Sequence, residues 1–257
     1  MRGVSKASRN RENARERIAR ERAEAARRRK QRIWAAIAGG VVVVAAAAVG
    51  ITLAVTGGSS SPATATTEPL SVLGAVKPAP AAGPVGPEGV PVPSGTALAA
   101  PGTAASGQTI DGISCSAGEQ TLFHIHAHLT IFVDGVAKQV PAGIGIPGPQ
   151  SQNTPQGPFV GGGTCFYWLH THAADGIVHI ESPVKRAFTL GQFFDEWGQP
   201  LGPSTVGPAN GTVVTIVDGK VYKGDPRIVD LTTHEQIQLE VGKPYVGPET
   251  IKFPSGL

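Results

Sequence analysis

The chain of 257 residues has one methionine, Met1, so the soft thioether set that a Met-rich Cu(I) carrier requires is missing. It has no Gly-x-Ser-x-Gly elbow, and Ser182 and Ser204 each stand beside a proline in turn-like context, which removes the usual setting of a serine nucleophile. No glycine-rich phosphate loop leads into a helix, since Gly161 to Gly163 runs toward a strand. Aromatic residues are 5% of the chain and none interleaves the basic N-terminal run, so no stacking surface for nucleic acid accompanies that charge. No nucleic-acid partner is expected.

What the sequence does contain is unevenly distributed. Residues 1–32 hold 13 Lys or Arg against 4 Glu, while the remainder has 9 basic and 15 acidic residues. The formal net charge of +3 therefore describes no single surface. Residues 33–55 carry no charge and, at a rise of about 1.5 Å each, would reach about 34 Å, enough for a hydrocarbon core of about 30 Å. A cleaved signal peptide has a shorter apolar region and a shorter basic lead, so the pattern predicts an uncleaved transmembrane helix. The arginine-rich flank predicts a cytoplasmic N-terminus, with the rest of the chain outside a cell membrane crossed once. The same flank sets topology and can also attract anionic lipid, by about 1 kcal/mol per cation near the surface.

Residues 56–109 are rich in Pro, Ala, Gly, Ser and Thr and hold little that could form a core of its own, which predicts a disordered linker. Residues 110–257 remain as the extracytoplasmic domain, long enough for one hydrophobic core. Both cysteines lie there. On the oxidising side of a membrane Cys115 and Cys165 are expected to form a disulfide, worth about 4 kcal/mol for a loop of about 50 residues in the chain-entropy model, with a metal–thiolate role for Cys165 as the alternative.

Strand signals dominate this domain. Asp134-Gly135, Asp175-Gly176 and Asp218-Gly219 are placed as hairpin tips, and residues 235–242 alternate as a further strand. Thr189 and Gln192 stand at capping-box spacing before Phe193, Phe194 and Trp197, which predicts a short helix, and Pro226 opens a possible second helical turn. The fold expected is α+β, mainly antiparallel hairpins with one short helix, in an order reminiscent of a β-grasp. Residues 143–163 are expected to form a long surface loop.

All seven histidines fall in this domain. His124, His126 and His128 alternate with Ile125, Ala127 and Leu129, so a strand there would turn three imidazoles to one face and apolar side chains to the other. His170, His172 and His179 flank Asp175-Gly176. A two-residue loop would place His172 opposite His179 and His170 opposite Glu181, whereas a four-residue loop would place His170 opposite His179. Either register keeps the three imidazoles on one face. The expected metal site is thus His124, His126, His128, His170, His172 and His179, with Glu181 as a further ligand or as the partner that orients an imidazole. His234, apart from both runs, is expected to be structural, and Trp168 either walls the site or joins the core.

Imidazole donors suit copper or zinc, and the function expected is binding of Cu(II) or zinc for buffering, delivery or sensing. Three readings stay open. His-x-His with a third His on a neighbouring strand can hold a catalytic zinc for a hydrolase or lyase, although no catalytic residue is singled out. The cupin spacing is absent, because Glu181 follows His172 by nine residues. A metal-free histidine face could instead meet an envelope protein partner in a pH-responsive way, or simply be the wet side of a sheet.

Overall fold

A computed structural model describes residues 66–102 and 104–257. The basic tail at 1–32 and the apolar run at 33–55 lie outside the described residues, among which no helix is long and apolar enough to cross a membrane. The strands in chain order are β1 (Thr66–Glu68), β2 (Phe123–Val133), β3 (Val136–Lys138), β4 (Gln150–Thr154), β5 (Gly157–Gly162), β6 (Leu169–His170) and β7 (Ile177–Ser182). The helix α1 (Leu190–Trp197) follows, and then β8 (Leu201–Gly202), β9 (Thr205–Val206), β10 (Ala209–Asn210), β11 (Val213–Val217), β12 (Lys220–Lys223) and β13 (Gln236–Val241). A main sheet runs β1-β12-β11-β13-β2-β7-β6, with β3 also on β2. Its β13–β2 pair is parallel and the other pairs are antiparallel. Among the described residues the fold is α+β, mostly sheet with one short helix.

Period-two alternation explains β2. Ala127, Leu129 and Ile131 enter one hydrophobic core with Val178, Ile180, Ile237 and Leu239 of the flanking strands and with Phe193, Phe194 and Trp197 of α1. Helix α1 begins where its sequence signals it: the Thr189 hydroxyl accepts from the Gln192 N–H at 3.3 Å and the Gln192 carboxamide accepts from the Thr189 N–H at 3.1 Å. Such a cap contributes about 1 kcal/mol. Pro226 begins a 3-10 turn over Pro226–Ile228, as its position suggests.

The tips at Asp134-Gly135 and Asp218-Gly219 are two-residue turns with positive φ at both positions, 51° and 73° in the first and 47° and 75° in the second. That is type I′ geometry, whose twist matches paired strands. The Asp175-Gly176 tip differs. The β6–β7 ladder pairs Leu169 with Ile180 and His170 with His179 and goes no further, so His172 lies in the connection rather than in a strand. Asp175 stabilises this wider connection by accepting from the Ile177 N–H at 3.2 Å.

Two expectations are corrected. The segment 143–163 contains a hairpin of β4 and β5, whose turn is held by the Thr154 hydroxyl donating to the Gly157 carbonyl at 2.8 Å. Its Gln, Asn, Pro and Gly content masks any hydrophobic alternation. The supposed disordered linker is laid against the domain from Thr66 onward: β1 pairs with β12, the Lys77 N–H donates to the Tyr245 carbonyl at 2.8 Å, and the Leu98 N–H to the Gln139 carbonyl at 3.0 Å. Val90 in the middle of this strap is fully buried. Composition shows that the strap has no core of its own; it packs instead on a core supplied by the sheet.

Candidate metal centre

Strand β7 lies between β2 and β6, and this order assembles the cluster. Register sets His124 opposite Glu181 and His126 opposite His179 on one side, and His170 opposite His179 on the other. His179 is the hub: its ring centroid lies 4.5 Å from His126, 4.5 Å from His172 and 5.3 Å from His170. The four-residue-loop register is thus the one adopted, and the two histidine runs converge. Cys115 and Cys165 are joined in a disulfide with Cα atoms 5.5 Å apart, beside the Ser116–Phe166 bridge that leads into β6.

Burial separates the site from an ordinary wet face. His126, His170, His172, His179 and Glu181 are all buried, with His170 at 0% exposure, while His124 sits at the solvent edge. The strap covers the cluster by way of Glu88, whose Oε1 lies 2.6 Å from His179 Nε2. Phe159 of β5 stacks on the His172 ring at 4.9 Å, and Phe166 meets His170 edge-on at 5.7 Å. Trp168 does not wall the site, since its ring packs edge-on against Phe188 at 6.2 Å on the core side.

Hydrogen bonds fix which nitrogens point inward. Carbonyl oxygens only accept, so His170 Nδ1–H donates to Tyr167 at 2.8 Å and His172 Nδ1–H donates to Val160 at 2.5 Å. Each ring thereby presents a bare Nε2, and the His170 Nε2 is buried without a partner. His179 is oriented the other way. Its Nε2 engages Glu88, and its Nδ1 lies 3.1 Å from His126 Nε2 and 3.4 Å from Glu181 Oε1. His124 Nε2 closes the group at 3.0 Å from His126 Nε2 and 3.2 Å from Glu181 Oε1. Imidazoles held at one nitrogen by a carbonyl or carboxylate, with the other turned to a common centre, are oriented as metal ligands are.

The electrostatics sort the rings in the same way. Burial, reinforced by the His179 and His124 rings, pushes His126 down to about 3. Burial, then His179, also lowers His170 and His172, so all three are neutral donors at pH 7. Burial alone would lower His179 too, but hydrogen bonds to Glu181 and Glu88 outweigh it and raise its pKa to about 9, so the metal-free ring is an imidazolium at pH 7 and a cation bound at Nδ1 would displace that proton.

Two groups of four result, each with its donor atoms within 4.8 Å of one another: His124, His126, His179 and Glu181, and His170, His172, His179 and Glu181. This His/Glu cluster can hold a metal ion. His128 is not brought into it. Although it shares the face of His126, its Nε2 turns to the Asp175 carbonyl at 2.9 Å, and burial lowers its pKa to about 4. His234 also stands apart, stacked on Phe253 at 4.5 Å with Nε2 on the Leu257 carbonyl.

Sequence reasoning missed Glu88, Phe159 and Glu119, whose Oε1 lies 3.5 Å from His172 Nε2. Glu88 did leave a signal, as the one acidic residue between Glu68 and Asp111 in a stretch otherwise without negative charge. Comparison with protein-family models, curated proteins and solved structures gives no match to this chain.

Proposed function

We propose that this protein is a membrane-anchored, extracytoplasmic metal-binding protein that takes up Cu(II) or zinc at the His/Glu cluster and serves metal buffering, delivery or sensing. The observation that carries this reading is the inward convergence of bare imidazole nitrogens, with His170 and His172 each held at Nδ1 by a backbone carbonyl. Burying several imidazoles and two carboxylates at one point costs free energy that a core of apolar side chains would not, and a bound cation repays it. Borderline imidazole and hard carboxylate donors favour zinc or Cu(II) over Cu(I). The Cys115–Cys165 disulfide supports an oxidising compartment, and the charge-free run at 33–55 supports a single anchor with its basic flank in the cytoplasm. The strand order β7-β2-β13-β11-β12, with α1 packed on one face, supports a β-grasp-like description of the domain.

Competition for Zn(II) and Cu(II) between the purified full chain and a chelator of known affinity tests the proposal. Retention of either ion against a chelator that strips a surface histidine pair is the expected result. Failure to retain both ions sinks the reading.

A further inference from the structure

The cluster has more donors than one ion can use. A four-coordinate zinc with bonds of about 2.0–2.2 Å holds four ligand atoms about 3.3–3.6 Å apart, whereas the donors here form two groups of four that share only His179 and Glu181. Glu181 lies between them. Its Oε1 belongs to the first group, 3.2 Å from His124 Nε2 and 3.4 Å from His179 Nδ1. Its Oε2 is buried with no hydrogen-bond partner, and so is His170 Nε2 of the second group. A buried polar atom left bare is costly, and a cation beside each would supply the missing partner.

We infer that the centre is binuclear, with Glu181 as a carboxylate bridge between two cations. This rests on the metal-binding reading and extends it. The first ion is held by His124, His126 and His179 with Glu181 Oε1, and Glu88 orients His179 through its other nitrogen. The second is held by His170 Nε2, His172 Nε2 and Glu181 Oε2, with the half-exposed Glu119 at its solvent side. Carboxylate-bridged pairs hold their ions about 3.5–4 Å apart, a separation that one glutamate spans.

The test counts ions on the metal-stripped full chain, first with Zn(II) by elemental analysis after desalting, then with Cu(II) by electron paramagnetic resonance. Two equivalents of Zn(II) per chain and a spin-coupled Cu(II) pair are expected. The paired substitutions His124→Ala with His126→Ala, and His170→Ala with His172→Ala, should each leave one equivalent and an uncoupled Cu(II) signal. One equivalent in the unaltered chain, or two equivalents without coupling, overturns the bridge while leaving metal binding in place. Zero equivalents overturns the metal-binding reading itself. The count and the coupling are both read on the unaltered chain, so a variant that fails to fold does not remove the test.

Discussion

At His179 one imidazole joins three strands and the strap, because its Nδ1 faces the donors of β2 while its Nε2 meets Glu88. The carboxylate fixes the tautomer and raises the basicity of the nitrogen left for a metal. Glu88→Gln keeps an acceptor at the same place and removes the charge. Metal affinity should fall by about 10–100-fold, with little change in the unfolding midpoint, as competition titration and urea denaturation would read. His128 gives the opposite case. It is buried and bonded to the Asp175 carbonyl, so His128→Ala should cost about 1–3 kcal/mol of stability and leave the metal stoichiometry unaltered. Loss of bound ion in a folded His128→Ala protein would return that ring to the ligand set. The alternation in β2 cannot distinguish His128 from His126, because period two assigns a face and says nothing of which neighbour a ring meets on it.

Elements differ in how much of their structure local sequence encodes. The capping box of α1 and the two type I′ turns were legible, since each depends on residues within four positions of one another. The parallel pairing of β13 with β2 and the hairpin β4–β5 were not, because one joins residues about a hundred apart and the other is written in Gln, Asn, Pro and Gly. The convergence of the histidine runs fell between these cases. Parity announced that His170, His172 and His179 share a face, but only the insertion of β7 between β2 and β6 brings the second run to the first. The helix and the metal centre lie on opposite sides of the sheet, which makes them separable. Thr189→Ala should destabilise the domain by about 1 kcal/mol in urea denaturation while metal affinity stays within twofold. A large loss of affinity would mean that the sheet transmits helix strain to the site.

The whole domain is a sheet with a helix on one face and irregular chain on the other, and that second covering decides its response to pH as well as its access to metal. Glu240 of β13 is buried beneath the C-terminal segment, accepting from Gln238 at 2.7 Å and from the Val246 N–H at 3.2 Å. Burial is the dominant influence and raises its carboxyl from 4.5 to about 7. The folded chain therefore holds a proton there that the unfolded chain has lost, so this contribution to stability is full below about 4.5 and disappears as pH rises through about 7. Glu240→Gln should flatten the fall in urea midpoint between pH 5 and pH 8, and an unchanged profile would place the titration elsewhere. The strap makes the larger claim. A Pro-rich segment acting only as a spacer would exchange its amide hydrogens at the rate of unstructured chain. Here Lys77, Gly86, Val92 and Leu98 each donate a backbone hydrogen bond, to Tyr245, Val90, Pro84 and Gln139 respectively. Hydrogen exchange on the full chain should find these four amides protected relative to the exposed Ala79, Ala81 and Ala82 of the same segment. Deleting residues 79–93 should then uncover the imidazoles and speed metal release, because Glu88 and the buried Val90 leave together. Uniformly fast exchange through the strap would instead leave the histidines open to solvent, and the orientation of His179 by Glu88 would no longer explain its role at the centre.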